Sequence, residues 1–332
     1  MSGESAFISA LRSLAGEPEA RGLLDDAATL RFEGKNLVLT HDMIVEGVHF
    51  LAQDPAEDVA WKLVAVNLSD LAAKGATPLG VLLGYTLTAN SDWDDAFLVG
   101  LGDVLHAFGT ALLGGDTVSA PPPAPRSLGL TAIGEARHVP PARSGATEDD
   151  LIWVSGTIGD AGAGLRIALG EIEGPPELVA RYRRPQPRLE LGQSLASIVT
   201  AMMDVSDGLL LDAARMAQAS GLAASIDLAE IPLSPALLSV VGGGRQARID
   251  ASIAGDDYEL LFAAPAGQTE AIREISAALG LHLTPIGRFG RGEGVVLTDN
   301  GASLPLPPRL GYEHAPDRPE RPVAMLSNRL KD

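Results

Sequence analysis

The chain of 332 residues contains no cysteine. This absence excludes disulfides, thiolate-bound metals and a cysteine nucleophile. Aromatic residues are also few, at 4%. The chain has 25 lysines and arginines but 43 aspartates and glutamates. The formal net charge of −18 argues against a nucleic acid as partner, because binding to its backbone requires a basic surface.

The sequence also lacks an apolar run of 18 residues and a basic, then apolar, N-terminal leader. We therefore expect a cytoplasmic protein without membrane contact. Hydrophobic residues still make up 46% of the chain, and its length suffices for two domains with substantial cores. Predicted strands and helices alternate in both halves, which indicates a mixed α and β fold of the α+β class.

Familiar catalytic motifs are missing as well. The chain has no GxxxxGK[ST] phosphate loop, no protein-kinase motif set and no GxSxG sequence. Its six histidines show no zinc-ligand spacing. The glycine-rich segment 156–162 is a weak signal by itself, since close packing of a helix also explains it.

What the chain does contain is aspartate where an apolar core would exclude it. Five short segments place aspartates beside apolar residues, glycines or predicted strand ends: Asp25-Asp26, Thr40-His41-Asp42, Asn67-Leu68-Ser69-Asp70, Gly114-Gly115-Asp116 and Asp204-Val205-Ser206-Asp207. A buried carboxylate is costly unless it is paired or binds a cation. The segments therefore predict one shared cluster of hard divalent cations, most simply magnesium with a polyphosphate.

Local patterns predict how these aspartates are presented. Residues 37–39 indicate a strand that ends at Thr40-His41-Asp42, where side chains can converge on a site. A helix is predicted to begin with Asp54 as its N-cap and to run to Lys74. At 100° per residue it places Asp70 within its apolar stripe. Either this polar stripe points into a site, or the helix end emerges into solvent.

Two further segments suit a phosphate group. Gly114-Gly115 would let backbone amides approach a phosphate closely beside Asp116. The segment 204–207 is predicted to open a helix, where the dipole and free amides favour an anion or a metal–phosphate pair. Ordinary capping of that helix by Ser206 or Asp207 is the alternative.

Six strings, in order along the chain, resemble those of the thiamine-monophosphate kinase family. They span about residues 25–315 and are Asp42-Met43-Ile44-Val45-Glu46-Gly47-Val48-His49-Phe50, Asn67-Leu68-Ser69-Asp70-Leu71-Ala72-Ala73, Gly114-Gly115-Asp116-Thr117, Arg143-Ser144-Gly145-Ala146, Asp204-Val205-Ser206-Asp207-Gly208-Leu209 and Gly255-Asp256-Asp257-Tyr258-Glu259-Leu260. The resemblance implies ATP-dependent conversion of thiamine monophosphate to thiamine diphosphate, the final step in making that cofactor. ATP would be the co-substrate, and several Mg²⁺ ions would be required.

The resemblance also implies the two-domain fold of the wider superfamily, which includes aminoimidazole ribonucleotide and selenophosphate synthetases. Residues 1–138 would bind ATP and magnesium, and their sheet would pair with that of a second copy in a homodimer with a barrel-like core. Residues 139–150 would form a linker, 151–320 a C-terminal α/β domain and 321–332 a tail.

Three sets of site residues follow from the resemblance. The magnesium set comprises Asp26, Thr40, His41, Asp42, Asp70, Asp116, Asp204 and Asp207. The ATP set comprises Gly115, Asp116, Arg143, Ser206 and Phe108. The thiamine-phosphate set comprises His49, Asp256 and Tyr312. No general base is expected, because a phosphate monoester with a second pKa of about 6 is already anionic near neutral pH.

Three departures from the family pattern bear on this assignment. His41 replaces a Thr, which a backbone-carbonyl ligand would tolerate and a hydroxyl ligand would not. Asp256 replaces a Glu, and Gly22-Leu23-Leu24 replaces Gly-Ile-Gly. Two alternatives stay open: another ATP-dependent synthetase of the superfamily, such as an aminoimidazole ribonucleotide synthetase-like enzyme, and a non-catalytic protein that binds nucleotide or thiamine diphosphate.

Overall fold

The computed structural model describes residues 3–12, 14–87, 90–121 and 123–313, so the predicted tail 321–332 lies outside the described residues. The elements of the N-terminal half are α1 Gly3–Leu11, β1 Ala28–Phe32, β2 Lys35–Val45, α2 Ala56–Ala73, β3 Ala76–Leu87, α3 Ser91–Ala107, β4 Leu112–Ser119 and β5 Ser127–Ala136. A short 3₁₀ segment, Pro18–Leu23, lies between α1 and β1.

The elements of the C-terminal half begin after residue 150. They are β6 Leu151–Ser155, α4 Asp160–Ala168, α5 Pro176–Arg183, α6 Leu189–Leu195, β7 Ala201–Asp204, α7 Leu209–Ser220, β8 Ala223–Asp227, α8 Pro235–Val241, α9 Arg245–Ile253, β9 Leu260–Ala264, α10 Thr269–Leu279, β10 Leu283–Gly290, β11 Gly294–Asp299 and β12 Ala302–Leu304. In the described part of the chain, no helix has the length and apolar character needed to cross a membrane.

The two halves each build one sheet. The N-terminal sheet has the order β1-β2-β5-β3-β4, and the C-terminal sheet has the order β12-β11-β8-β10-β6-β9-β7. Both are mixed, since β3 runs parallel to β4 and β11 runs parallel to β8 while the other pairs are antiparallel. The predicted α+β architecture of two parts is confirmed; the limits of the linker at 139–150 stay a prediction.

Helix α2 joins the two halves. It packs against β2 and β5 of the N-terminal sheet and also against α6 and β7 of the C-terminal half. A helix covered on most sides is expected to be apolar all round. Leu63, Leu68 and Leu71 fit that expectation, but Asn67 and Asp70 are buried in the same helix. The polar stripe of α2 therefore points into the protein and does not emerge into solvent.

Two local predictions were wrong. Thr40-His41-Asp42 does not end a strand, because β2 continues to Val45 and pairs with β5 along its whole length. Asp54 does not cap α2 either; Pro55 occupies the N-cap position without a side-chain cap. The Asp54 carboxylate instead accepts hydrogen bonds from the Tyr182 hydroxyl at 3.0 Å and from Arg183 at 2.8 Å. The charged partner Arg183 thus compensates the buried Asp54 carboxylate.

Candidate active site

Three predicted carboxylates meet where the two halves touch. Asp26 precedes β1, Asp70 lies on α2 and Asp204 ends β7, and one oxygen of each lies within 4.8 Å of the others. We call these three residues the acidic cluster. Helix α2 positions the cluster, because it is held between both sheets and its buried face carries Asp70.

Neighbouring polar groups fix these carboxylates. The Thr40 hydroxyl donates to Asp70, and the Ser69 hydroxyl donates to Asp204 at 2.6 Å. Because side chains alternate along a strand, Thr40 and Asp42 share one face of β2. The backbone amide of Asp42 donates to Asn67 Oδ1 at 2.9 Å. The middle of β2 and the middle of α2 are thus joined around the cluster.

Electrostatics divide these acids into two kinds. Burial, followed by the charges of neighbouring aspartates, raises the pKa of Asp70 and Asp204 well above the usual range. Burial also raises the pKa of Asp42, against the opposing effect of His41. Asp26 behaves differently: burial acts to raise its pKa, but Arg143 and Lys74 outweigh burial and the pKa falls below its usual value.

The donor set fits magnesium. Mg²⁺ prefers hard oxygen ligands, and three carboxylates with the hydroxyl of Thr40 offer only such atoms. Burial and the charges of neighbouring aspartates raise the pKa of Asp70 and Asp204, and a divalent cation bound there would oppose both effects.

The start of α7 departs from the predicted anion site. The amides of Ser206 and Asp207 both donate to Asp212 Oδ2, each at 3.1 Å, so these two amides are already occupied. The cap position itself is taken by Gly208, so neither Ser206 nor Asp207 caps the helix. Asp212 lies one turn inside α7, where burial raises its pKa to about 7. The side chain of Asp207 pairs with Arg215 at 2.5 Å.

The side chain of His41, a predicted magnesium ligand, points away from the acidic cluster. It occupies the face of β2 opposite to Thr40 and Asp42, is exposed, and its Nδ1 lies 2.9 Å from the Thr131 hydroxyl. This orientation leaves the backbone carbonyl as the group of His41 that could face a metal, and a role of His41 as a ligand stays a prediction.

Gly115 and Asp116 lie on β4, an edge strand that is exposed along its whole length. Asp116 Oδ1 accepts a hydrogen bond from the Thr117 amide at 2.9 Å and is not one of the three carboxylates of the acidic cluster. A Cβ atom on Gly115 would lie 1.9 Å from the Leu83 carbonyl oxygen. Close pairing with β3 thus explains this glycine without a phosphate.

Phe108 follows the end of α3 and contacts Trp61 edge to face, with ring centroids 5.5 Å apart. The indole of Trp61 in turn donates to the Pro185 carbonyl at 2.9 Å. Phe108 thus contributes to the packing of the N-terminal core, and its predicted contact with adenine stays a prediction.

The three predicted thiamine-phosphate residues line one cavity of about 500 Å³. His49, Asp256 and Tyr312 share this cavity with Asp42, Ser206 and Asp207. His49 Nδ1 accepts a hydrogen bond from the Val45 amide at 3.0 Å, and the Tyr312 amide donates to the Asp207 carbonyl at 2.8 Å. Backbone contacts therefore hold the cavity wall next to the aspartates.

Known proteins match the chain along most of its length. The family models described as AIR synthase related protein, N-terminal domain and C-terminal domain, match residues 24–136 and 147–300. Thiamine-monophosphate kinase from Caulobacter vibrioides is 41% identical over 309 residues, covering 90% of this chain and 86% of that protein. The Escherichia coli K12 protein of the same name is 36% identical over 302 residues, covering 88% and 91%. The chain belongs to the thiamine-monophosphate kinase family.

Solved structures from the family share this fold. The structure of AaThiL complexed with AMPPCP and TMP has a TM-score of 0.81 at 30% identity, and the match covers 94% of this chain and 97% of that one. Thiamine-monophosphate kinase from Stenotrophomonas maltophilia K279a has a TM-score of 0.73 at 39% identity, covering 90% and 96%. The HypE–HypF complex, at 18% identity and a TM-score of 0.74, shows only that the fold extends beyond the family.

Sequence reasoning did not include Lys62, which contacts two of the predicted thiamine-phosphate residues. Its ammonium group is buried and contacts Asp256 Oδ2 at 2.7 Å and the His49 carbonyl at 2.9 Å. It also lies 4.2 Å from the centroid of the Tyr182 ring. The signal available in the sequence was a lysine on a largely apolar helix; nothing local indicated its partner, 194 residues away.

Proposed function

We propose that this chain transfers the γ-phosphoryl group of ATP to thiamine monophosphate, producing thiamine diphosphate and ADP. The observation that carries the proposal is one juxtaposition: Asp42, whose charge acts on Asp70 and Asp204 of the acidic cluster, also lines the cavity that contains Asp207 and all three predicted thiamine-phosphate residues. The family relatives named thiamine-monophosphate kinase and the AaThiL complex with AMPPCP and TMP support it.

Asp26, Asp70 and Asp204, with Asp42, are the residues that would hold magnesium. When bound there, Mg²⁺ would offset the negative charge of the transferred phosphoryl group and of the two phosphates it joins. Asp116 and Asp207 stay proposed ligands, since Asp116 lies on β4 and Asp207 pairs with Arg215.

The chain's own residues orient the two reactants. Arg143 pairs with Asp26 and lies at the edge of the acidic cluster, so its remaining donors are placed to bind a phosphate. His49 and Asp256 face the cavity where the thiamine would bind, and the Tyr312 ring offers a surface for a cationic heterocycle. Lys62 holds Asp256 and the His49 carbonyl in place.

Transfer needs no general base. An oxygen of the thiamine phosphate, already anionic, would form the new bond to the γ-phosphorus while the bond from that phosphorus to the β-phosphate oxygen breaks, and ADP leaves with the electron pair. The cavity wall carries three carboxylates, Asp42, Asp207 and Asp256, which can bind cations.

The proposed homodimer is supported by the surface of the N-terminal sheet. Edge strand β4 is exposed and carries Leu112, Leu113 and Val118, each about half exposed or more. A long exposed edge with apolar side chains is a common place for pairing with another chain. Light scattering on the purified protein tests this, since a monomer at micromolar concentration would contradict it. The cytoplasmic location stays a prediction.

A coupled assay of ADP release, with and without thiamine monophosphate, tests the proposed reaction. We expect release that requires both thiamine monophosphate and Mg²⁺, with thiamine diphosphate identified by mass spectrometry. Equal ADP release without this acceptor would favour another synthetase reaction. Nucleotide binding without any ADP release would favour the non-catalytic alternative.

A further inference from the structure

Lys74 is a lysine with no exposed surface. It follows the last residue of α2, where its backbone amide donates to Leu71 and Ala72 carbonyls and closes the helix. Its side chain is directed into the protein and not toward solvent. A buried ammonium is costly unless its donors are all satisfied by strong partners.

Three partners surround the Lys74 ammonium. Its Nζ lies 2.5 Å from Asp25 Oδ1 and 2.6 Å from Asp26 Oδ2, and it donates to the Met202 carbonyl at 3.2 Å. The ammonium group thus donates hydrogen bonds to Asp25 and Met202 and forms an ion pair with Asp26. The partners belong to the segment before β1 and to β7, so the side chain that follows α2 contacts parts of both halves.

The position of Lys74 gives the acidic cluster an internal asymmetry. Both oxygens of Asp26 contact protein cations, Oδ1 contacting Arg143 and Oδ2 contacting Lys74. Asp70 and Asp204, by contrast, receive hydrogen bonds from the neutral hydroxyls of Thr40 and Ser69. One corner of the cluster is neutralised by the chain itself, while the other two carboxylates are not.

We propose that Lys74 is a resident counter-ion of the acidic cluster, which holds Asp26 in place before a divalent cation arrives and competes with that cation for Asp26. The proposal rests on the proposed metal site. Its ammonium is a fixed positive charge within 2.6 Å of a carboxylate that would bind the metal. Charges at such distances in a buried site interact strongly. Lys74 therefore weakens divalent binding and stabilises the metal-free protein at the same time.

These two effects have opposite signs, and this separates the proposal from simple packing. If Lys74 only fills space and joins the halves, its loss would disturb the cluster and weaken metal binding. If it is a counter-ion, its loss would leave Asp26 available to the metal. The metal-free protein would lose stability in both cases, but only a counter-ion predicts tighter metal binding.

The test compares Lys74→Met with the parent chain and with Lys35→Met, which removes an exposed ion pair to Glu135. Mn²⁺ is titrated without nucleotide and followed by electron paramagnetic resonance, and unfolding is followed by calorimetry in EDTA and in Mn²⁺. We expect Lys74→Met to lower Tm in EDTA, to recover stability in Mn²⁺, and to bind Mn²⁺ roughly tenfold more tightly. Lys35→Met should leave all three quantities unchanged.

Unchanged or weaker Mn²⁺ binding by Lys74→Met would overturn the proposal and leave the kinase assignment intact. If neither Lys74→Met nor the parent chain binds Mn²⁺, both this proposal and the proposed metal site would be overturned. Lys74→Gln, which keeps a polar side chain without the charge, replaces Lys74→Met if the latter does not fold, and the same result is expected of it.

Discussion

Glu259 and the acidic cluster are both buried, but the groups around them differ in charge. Glu259 is buried, and its carboxylate accepts hydrogen bonds from Arg181 at 2.7 Å, from two nitrogens of Arg188, and from the Ser155 hydroxyl at 2.6 Å. Burial acts to raise its pKa, but Arg188 and Arg181 outweigh burial and lower it. In the acidic cluster, burial and neighbouring carboxylates raise the pKa of Asp70 and Asp204.

The difference separates a structural charge from a functional one. Glu259 finds its positive charge within the chain, so its burial is compensated as soon as the protein folds. Asp70 and Asp204 are also buried, but the hydrogen bonds that their side chains accept from the described residues come from the hydroxyls of Thr40 and Ser69. We propose that a metal–nucleotide complex provides their compensation.

The largest effect is expected from Asp204→Asn. Loss of this carboxylate should lower kcat by about 10²-fold or more, since groups that stabilise transferred charge contribute that much. The metal-free variant should be at least as stable as the parent, because a repulsive buried charge is removed. Steady-state kinetics and urea unfolding in EDTA measure the two quantities. Asp92→Asn, an exposed position, is the matched control. Near-normal turnover of Asp204→Asn in saturating Mg²⁺ would contradict the assignment.

Glu259→Gln should have the reverse profile. It removes the buried carboxylate that Arg181 and Arg188, both largely but not fully buried, share, and breaking a buried pair costs about 3–5 kcal/mol. Chemical unfolding should show that loss with and without Mg²⁺, whereas Glu135→Gln, in an exposed ion pair, should change stability by less than about 1 kcal/mol. A stability loss that Mg²⁺ removes would show that Glu259 belongs to the metal site.

Lys62→Met should mainly weaken the binding of thiamine monophosphate. It removes the cation that holds Asp256 and the His49 carbonyl at the cavity wall. Hydrogen bonds to charged groups contribute about 1.5–3 kcal/mol, so KM for thiamine monophosphate should rise at least about tenfold. The KM for ATP should change little, which initial-rate kinetics with either substrate varied will show. Equal increases in both would contradict a role confined to the thiamine pocket.

The smallest effect concerns pH. The raised pKa values of Asp70 and Asp204 mean that their contribution to stability is fully present below the unfolded value of about 3.9 and is lost as pH rises through the folded values. The lowered pKa of Glu259 acts in reverse, and its contribution is lost as pH falls. In EDTA, Asp204→Asn should therefore flatten the decline of stability above about pH 4. Identical pH profiles of parent and variant would contradict this.

The sequence supported a large part of the site and a smaller part of its chemistry. Asp26, Asp70 and Asp204 were predicted to converge, because buried aspartates in separate segments need a common partner, and the structure brings these three together. The burial of Asp70 followed from helical periodicity. The same periodicity could not identify which acids already had partners, since Arg143 is 117 residues from Asp26 and Lys74 is 49 residues from Asp25.

Errors in the local predictions have the same origin. The middle and the end of a strand share one alternation of side chains, so the pattern around Thr40 could not show that β2 continues to Val45. Asp54 has the sequence of a helix cap, but its partners Tyr182 and Arg183 come from α5. The amides at the start of α7 were expected to be free, yet Asp212 from the same helix takes two of them. Tertiary partners decided each case.

The measurement that tests the central claim most directly is calorimetric titration of AMPPCP into the parent chain and into Asp204→Asn, each with Mg²⁺ and with EDTA. We predict that the parent binds the nucleotide at least about 10²-fold more tightly with Mg²⁺ than with EDTA, and that Asp204→Asn loses most of this difference. Nucleotide binding that is equally tight in EDTA, or a Mg²⁺ dependence that survives in Asp204→Asn, would contradict the claim that the acidic cluster binds the metal.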